Sequence, residues 1–249
     1  MDLKEAAEFI EKIAKSKQSF DAKNFIEFDV KSIASIAAID GSNIKLLDAG
    51  NFSVFLVRIG YVIVKHGKIE KHVFEPSIEI VENDGEIDKI RSKKEMSLVD
   101  KINADIILID GVPEKMHDNV IGISKKTGLK AGSVPLLYLI KKEGDRLLPA
   151  KRWFYKIDDA TYAVKFHPYA RFAFRVDAIG EVKEKLEKIA SLCNEIGNIG
   201  YPYPLAIAHR IVEIKKEEAD YIKNRLKSHT GMSEKEWENI FYDYHEYMV

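Results

Sequence analysis

The sequence predicts an α/β protein in which a mixed β-sheet is flanked by helices, and three observations support this fold class. A buried apolar run over residues 35–39 ends in Asp40-Gly41, and a second apolar run over 105–109 ends in Asp110-Gly111. Two β-rich runs, at 52–64 and 69–80, follow the first of them. Amphipathic segments with a helical period lie before, between and after the strands. The chain of 249 residues is long enough to bury a large core, and we expect one domain over 1–249.

The composition narrows the class of protein. Hydrophobic residues make up 46% of the chain and charged residues 32%, as in an ordinary soluble protein. Basic and acidic side chains number 39 and 40, so a polyanion must be bound by a local basic patch. The single cysteine, Cys193, excludes an internal disulfide and a cysteine zinc site and fits a reducing cytoplasm. Because neither a membrane-spanning apolar run nor a signal-peptide profile is present, we expect a cytoplasmic protein with no membrane partner.

The two runs that finish in Asp-Gly are the main functional signal. If the strands are adjacent and parallel, their ends hold Asp40 and Asp110 side by side. Paired acids at the ends of buried strands are costly unless they share a divalent cation. The alternative is that both Asp-Gly pairs only form turns, which is their most common role.

The β-rich runs after Asp40 predict an antiparallel meander. They are separated by Lys65-His66-Gly67-Lys68, and His-Gly between such runs is typical of a hairpin turn.

The next segment, 86–103, predicts a helix with an acid on its buried side. At 100° per residue, Glu95 falls in the middle of an otherwise mainly apolar stripe, whereas Asp100 points the opposite way. A carboxylate that faces a sheet is costly unless it is paired or bound to a cation, so Glu95 is the third acid that we group with Asp40 and Asp110. A plain ion pair with Arg91, four residues earlier, is the alternative.

The middle of the chain supplies candidate DNA contacts. A strand over 120–124 ends in Ser-Lys-Lys, so Lys125 either contacts a phosphate, holds an acid or is merely solvated. A short helix over 135–142 and β-rich runs at 152–157, 162–166 and 172–176 follow. Basic residues and His167 are interleaved with aromatic residues along these runs: Lys165, His167, Arg171 and Arg175. This pattern suits a nucleic-acid groove and equally a half-exposed antiparallel sheet.

Helices are predicted at both ends of the chain. The segments are 2–18, 181–196, a long helix from about 205 to 227, and 234 to about 247. Prolines at 202 and 204 suit a helix entry. His209 lies near the start of the long helix; it is either a packed core group or, next to three acids, a metal ligand or proton carrier.

Together these motifs resemble the NurA family of archaeal and bacterial DNA-end-processing nucleases over about residues 34 to 215. The resemblance rests on the order and spacing of short motifs: Ala38-Ile39-Asp40-Gly41-Ser42, Glu95 ahead of Leu108-Ile109-Asp110-Gly111, Ile121-Gly122-Ile123-Ser124-Lys125, Phe174-Arg175-Val176, and Tyr201-Pro202-Tyr203-Pro204-Leu205 followed by Ala208-His209.

The resemblance implies a ribonuclease H-like fold and a catalytic site. Catalytic manganese or magnesium would be held by Asp40, Glu95, Asp110 and His209. Tyr201 would lie near the scissile strand, and Lys125 would contact a substrate phosphate. With two ions per site, the protein would act as a 5′–3′ exonuclease and single-strand endonuclease in DNA end resection and repair.

The family also implies partners: DNA, a second copy in a homodimer, and a hexameric DNA-translocating ATPase of the HerA type. The site residues agree with the implied manganese or magnesium, because oxygen-rich sites with one imidazole suit hard divalent ions. Two other functions stay open. One is a non-catalytic adaptor of the ATPase, and the other is a phosphotransferase like actin or the sugar kinases, for which the sequence offers neither a duplicated domain nor a glycine-rich phosphate loop.

Overall fold

The computed structural model describes residues 2–16, 18–125 and 127–241; the parts of the predicted terminal helices at 17 and 242–247 lie outside the described residues. The strands are β1 (Phe25–Glu27), β2 (Ser35–Asp48), β3 (Ser53–Lys65), β4 (Lys68–Val73), β5 (Ser77–Val81), β6 (Ile106–Asp110), β7 (Val120–Ser124), β8 (Lys130–Ala131), β9 (Val134–Pro135), β10 (Trp153–Lys156), β11 (Thr161–Lys165) and β12 (Phe174–Asp177). The helices are α1 (Leu3–Lys15), α2 (Glu86–Val99), α3 (Leu136–Leu147), α4 (Val182–Ala190), α5 (Tyr203–Val212), α6 (Lys216–Thr230) and α7 (Glu234–Phe241).

A ten-stranded mixed sheet organises the fold, in the order β1-β10-β11-β12-β7-β6-β2-β3-β4, with β5 also paired to β3. Its centre is parallel, since β2 pairs with β6 and β6 with β7 in the same direction. The other pairs in the sheet are antiparallel. The two aspartate-bearing strands are therefore adjacent and parallel, which is the condition under which the sequence predicts that Asp40 lies beside Asp110.

The predicted meander and its hairpin turn are also present. His66 and Gly67 both have positive φ angles, 48° and 75°, as a two-residue turn between twisted strands requires. The single strand expected over 69–80 is two strands instead. It is interrupted at Pro76, which has no backbone N–H to donate, and β4 and β5 pair with different parts of β3.

The first aspartate-bearing strand is longer than predicted. β2 does not end at Asp40-Gly41 but continues to Asp48, because β3 supplies backbone partners along nearly its whole length. The second strand does end where expected, with β6 finishing at Asp110 and Gly111 at φ 124°. The turn interpretation is therefore wrong for Asp40, and the carboxylate at that position projects from the middle of a strand.

Helices cover both faces of the sheet. One face packs against α4 and α5 through a cluster that includes Ala38, Leu108, Leu186 and Leu205. The opposite face packs against α2 beside β2 and β6, and against α3 beside β10 and β11. In the first part of β2, the chain thus places Ala37 and Ile39 under α2, and Ile36, Ala38 and Asp40 on the face that α5 covers.

Four predicted helices have different bounds, and one of them, α2, ends at Val99 rather than at 103. The long helix expected from about 205 to 227 is divided into α5 and α6, because side chains of the sheet take the carbonyl groups at its break: Ser42 donates to the carbonyl of Val212, and Arg58 to that of Glu213. α4 ends at Ala190 rather than at 196. α3 runs to Leu147, five residues beyond the predicted end at 142.

The two terminal helices are held by different contacts. α1 has no buried residue, although its apolar side chains follow a helical period, and its end is held to α3 by the hydroxyl of Tyr138, which donates to the carbonyl of Ala14. α7 buries Trp237 against a cluster from β2, β3 and α6. Among the residues that the structure describes, none of the helices is long and apolar enough to cross a membrane.

Candidate active site

Two carboxylates meet at the centre of the sheet. The register that pairs Ile39 with Ile109 brings the next residues, Asp40 of β2 and Asp110 of β6, next to each other on the face that α5 covers. Asp40 is only 2% exposed, whereas Asp110 is half-buried at the strand end. The parallel pairing, rather than any proximity in sequence, creates this pair.

α5 brings a histidine to the same place. Nδ1 of His209 lies 2.8 Å from Oδ2 of Asp40, and 64% of the histidine side chain is exposed. Asp40, Asp110 and His209 can each offer one ligand atom such that all of these atoms lie within 4.8 Å of one another. Among the described residues, this is the group of acids and histidines whose geometry suits a metal ion.

The pKa of Asp40 is raised from its ordinary value. Burial is the main cause, and the negative charge of Asp110 adds to it. The hydrogen bond with His209 and the backbone N–H of Gly41, which donates to Oδ1 over 2.8 Å, act in the opposite direction. A cation at this position would offset the repulsion between the two acids.

Glu95 lies next to this group but on the other side of β2. It is 3% exposed, as its position on the buried stripe of α2 predicts, and its Oε1 has no hydrogen-bond partner. Arg91 is 3.8 Å away, so the alternative ion pair is present but long. Burial raises the pKa of Glu95 to about 8, although the charge of Arg91 opposes this.

The three acids are thus brought near one another, but Glu95 is not part of the group with converging ligand atoms. The reason is that α2 and α5 cover opposite faces of the sheet. The contact between α2 and β2 depends on Gly41, because a Cβ at this position would lie 2.6 Å from Oε1 of Glu95 and 2.9 Å from Cγ of Arg91. Gly41 therefore admits the helix rather than forming a turn.

Two further predicted residues contact Asp110. Nζ of Lys125, at the end of β7, lies 3.1 Å from Oδ2 of Asp110, and the hydroxyl of Tyr201 donates to the same oxygen over 3.4 Å. The lysine ammonium also lies over the tyrosine ring, 4.5 Å from its centroid. Burial and the charges of the two aspartates raise the pKa of Tyr201, so this hydroxyl keeps its proton.

A cleft of about 770 Å³ opens beside these residues. Lys125, Tyr201 and His209 lie on its side towards the acids, and Arg171 lines it as well. Of the described residues that line it, the cations Lys125, Arg171 and Arg210 outnumber the one acid, Glu213. The cleft is therefore a local basic patch on a chain whose net charge is −1.

The basic side chains of the 152–176 region are divided between different places. Arg171 lies in the cleft, but Arg175 projects from the other face of β12 from Phe174 and forms an ion pair of 2.8 Å with Asp177. Lys165 is buried and pairs with Asp145. The structure therefore groups Arg171 with the site residues and does not bring Arg175 to them.

Sequence reasoning missed several residues of the cleft. Arg210 directly follows His209, and Phe172 directly follows Arg171. Adjacency to a predicted site residue is therefore the sequence signal that could have identified them. Phe174, predicted only as part of a family motif, packs its ring against Tyr201 at a centroid distance of 5.4 Å. The packing between distant segments, which the sequence does not reveal, brings these residues together.

The mixed sheet with helices on both faces, and with acids on neighbouring parallel strands, has the predicted ribonuclease H-like architecture. The model of the NurA domain matches residues 34–214, which is more than half of the chain. The chain therefore belongs to the NurA family.

Solved structures have the same fold. A crystal structure of the NurA nuclease from Sulfolobus solfataricus superposes with a TM-score of 0.69 at 18% identity, over 94% of this chain and 96% of that one. A second NurA crystal structure gives a TM-score of 0.66 at 12% identity, over 93% and 97%. No curated protein sequence matches the chain.

Proposed function

We propose that the protein is a metal-dependent deoxyribonuclease that hydrolyses phosphodiester bonds at the site formed by Asp40, Asp110 and His209. The observation that carries the proposal is that these residues, from three distant segments, have ligand atoms within 4.8 Å of one another. Membership of the NurA family and the NurA nuclease fold support the reaction class.

The residues present fit a hard divalent cation. Two carboxylates and one imidazole form an oxygen-rich donor set, which suits manganese or magnesium. The buried Oε1 of Glu95, which lacks a hydrogen-bond partner, is a further unsatisfied acceptor next to the site. We propose that Asp40, Asp110 and His209 hold the metal, that Glu95 supports it, and that two ions act at each site.

A bound divalent cation supplies Lewis-acid polarisation of the scissile phosphodiester and stabilises the charge of the leaving oxygen. Side chains of the protein would position the substrate phosphate. The ammonium of Lys125 lies at the mouth of the site, where it can bind a phosphate oxygen in exchange for Asp110. The contact with Asp40 fixes the ring orientation of His209, and Tyr201, which keeps its proton, can donate a hydrogen bond to a phosphate oxygen.

The finer function follows the family. We propose 5′–3′ exonuclease and single-strand endonuclease activity in DNA end resection, with a HerA-type hexameric ATPase as partner and a homodimer as the active form. The exposed apolar residues of α1, such as Leu3 and Ile10, are a candidate dimer contact. The basic cleft supplies the candidate path for DNA, with Arg171 beside the site; the predicted DNA contact at Arg175 stays a prediction.

The test is cleavage of single- and double-stranded oligonucleotides labelled at either end, with manganese, magnesium or EDTA. We expect degradation that needs the metal and that Asp110→Ala abolishes. Asp159→Asn is the matched control, since Asp159 lies in the exposed turn between β10 and β11. The order in which labelled products form reports the polarity.

Three outcomes would contradict the proposal. Metal-independent cleavage that survives Asp110→Ala would mean that the activity does not come from the site of Asp40, Asp110 and His209. No cleavage with any metal, with or without the ATPase, would favour the adaptor function, and a metal-dependent transfer of phosphate from ATP would favour the phosphotransferase.

A further inference from the structure

One wall of the cleft carries an aromatic side chain that the site chemistry does not use. Phe172 lines the cleft and is 59% exposed. The guanidinium of the adjacent Arg171 lies over its ring, 5.5 Å from the centroid. The ring of Phe172 therefore has a cation over one face and is exposed overall, in the same cleft as Lys125, Tyr201 and His209.

The packing of this wall fixes the position of Phe172. The next two residues, Ala173 and Phe174, are buried, and Phe174 packs against Tyr201 of the site. Phe172 is therefore exposed even though the two residues that follow it are buried, and the buried neighbours hold its backbone in place.

A glycine contact holds the same wall from the other side. Gly200 has a φ of 89°, and a Cβ there would lie 2.4 Å from Cβ of Ala170. The close approach locks the loop between β11 and β12 onto the segment that leads into Tyr201. The distance between the aromatic wall and the catalytic acids is therefore set by packed backbone.

We infer that Phe172 is a stacking subsite for an unpaired nucleobase of the DNA strand being cut, with Arg171 binding a phosphate of the same strand. An aromatic face next to cations is the arrangement that proteins use to hold single strands without sequence preference. The internal bases of a duplex are paired and have both faces covered by their neighbours, so such a base must leave the stack before it can lie on this ring. The inference rests on the proposed function and specifies its substrate as a single strand or a frayed end.

Charge complementarity favours DNA over a protein as the occupant. The cations Arg171, Lys125 and Arg210 line the cleft together with Phe172. A polyanion with aromatic bases matches both the charge and the ring. A second copy of the chain, which would use Phe172 as an apolar contact, is the rival occupant that the test must distinguish.

The test compares two single strands with equal charge in EDTA: an oligothymidylate, and an oligomer of the same length made of abasic tetrahydrofuran phosphates. We expect the wild-type protein to bind the strand with bases about tenfold more tightly, as one stacked base gives. Phe172→Ala should lose this preference and keep its affinity for the abasic strand. Phe172→Trp should restore it, and Tyr169→Ala, at a residue 79% exposed in the same loop, should leave it unchanged.

Two outcomes would overturn the inference: a wild type without base preference, or a Phe172→Ala variant that keeps the full preference. If that variant also sediments as a smaller species than wild type, Phe172 is assigned to contact between copies. Failure of the proposed function is read separately, from whether wild type cleaves DNA with metal. Because Phe172 is exposed, we expect its variants to melt at the wild-type temperature.

Discussion

Nδ1 of His209 lies 2.8 Å from Oδ2 of Asp40, and this contact joins α5 to β2 across 169 positions of the chain. It orients the imidazole on the exposed side of the acid pair and offsets part of the cost of burying Asp40. The same face of the sheet also receives Asp110 from β6. One helix therefore completes a site that two parallel strands begin.

Removal of this imidazole should weaken the site without unfolding the protein. We expect His209→Ala to lower metal-dependent cleavage about 100-fold, since the proposed metal ligand and its hydrogen bond to Asp40 are both lost. His229→Ala is the matched control, because His229 is an exposed histidine on α6. The test measures cleavage rates at saturating metal, with circular dichroism to check that both variants are folded. Equal rates for both variants would exclude His209 from the site.

The buried carboxyl of Glu95 should make the metal-free protein less stable as the pH rises. Its pKa in the fold, about 8, is above the ordinary value of 4.5, so its contribution is fully present below pH 4.5 and is lost as the pH approaches 8. The loss amounts to a few kcal/mol. Denaturant unfolding in EDTA between pH 5 and 8.5 measures it, and Glu95→Gln should remove this part of the slope. An unchanged slope in the variant would refute the shifted pKa.

Lys125 should contribute to DNA binding through its charge. We expect Lys125→Gln to weaken binding of DNA of any sequence, and to reduce the slope of log affinity against log salt by about 1. Lys23→Gln, at an exposed lysine just before the edge strand β1, should leave both values unchanged. Fluorescence anisotropy over a salt series in EDTA measures both; a wild-type slope for Lys125→Gln would mean that this lysine serves only Asp110.

Gly41 should tolerate no side chain. In Gly41→Ala the new Cβ would meet Oε1 of Glu95 and Cγ of Arg91, so we expect α2 to be displaced and the free energy of unfolding to fall by about 1–3 kcal/mol. Gly128→Ala is the control, because a Cβ at that exposed glycine meets nothing within 4 Å. Urea unfolding with a cleavage assay tests this. If Gly41→Ala is as stable and as active as Gly128→Ala, the close packing of Glu95 on β2 is needed neither for stability nor for cleavage.

Sequence patterns located much of the candidate site, for identifiable reasons. Apolar runs that end in Asp40 and Asp110 were visible because a buried acid is conspicuous among aliphatic residues. The position of Glu95 followed from helical periodicity alone. The bounds of β2 and the division between α5 and α6 were not predictable, because backbone partners from β3 extend the strand and side chains such as Ser42 and Arg58 take the carbonyls at the break.

The sequence by itself determined the mixed α/β class, the hairpin at His66-Gly67 and the residue types able to bind a cation, since these depend on local pattern and chemistry. Only the tertiary structure decided which of them meet. Parallel pairing of β2 with β6 aligned Asp40 with Asp110, and packing of α5 on that face added His209. Packing of α2 on the opposite face left Glu95 beside the group, and a loop contact at Gly200 placed Phe172 in the cleft. The physical reason is that register and packing are contacts between distant segments, whose geometry is fixed only when the sheet and its helices are assembled.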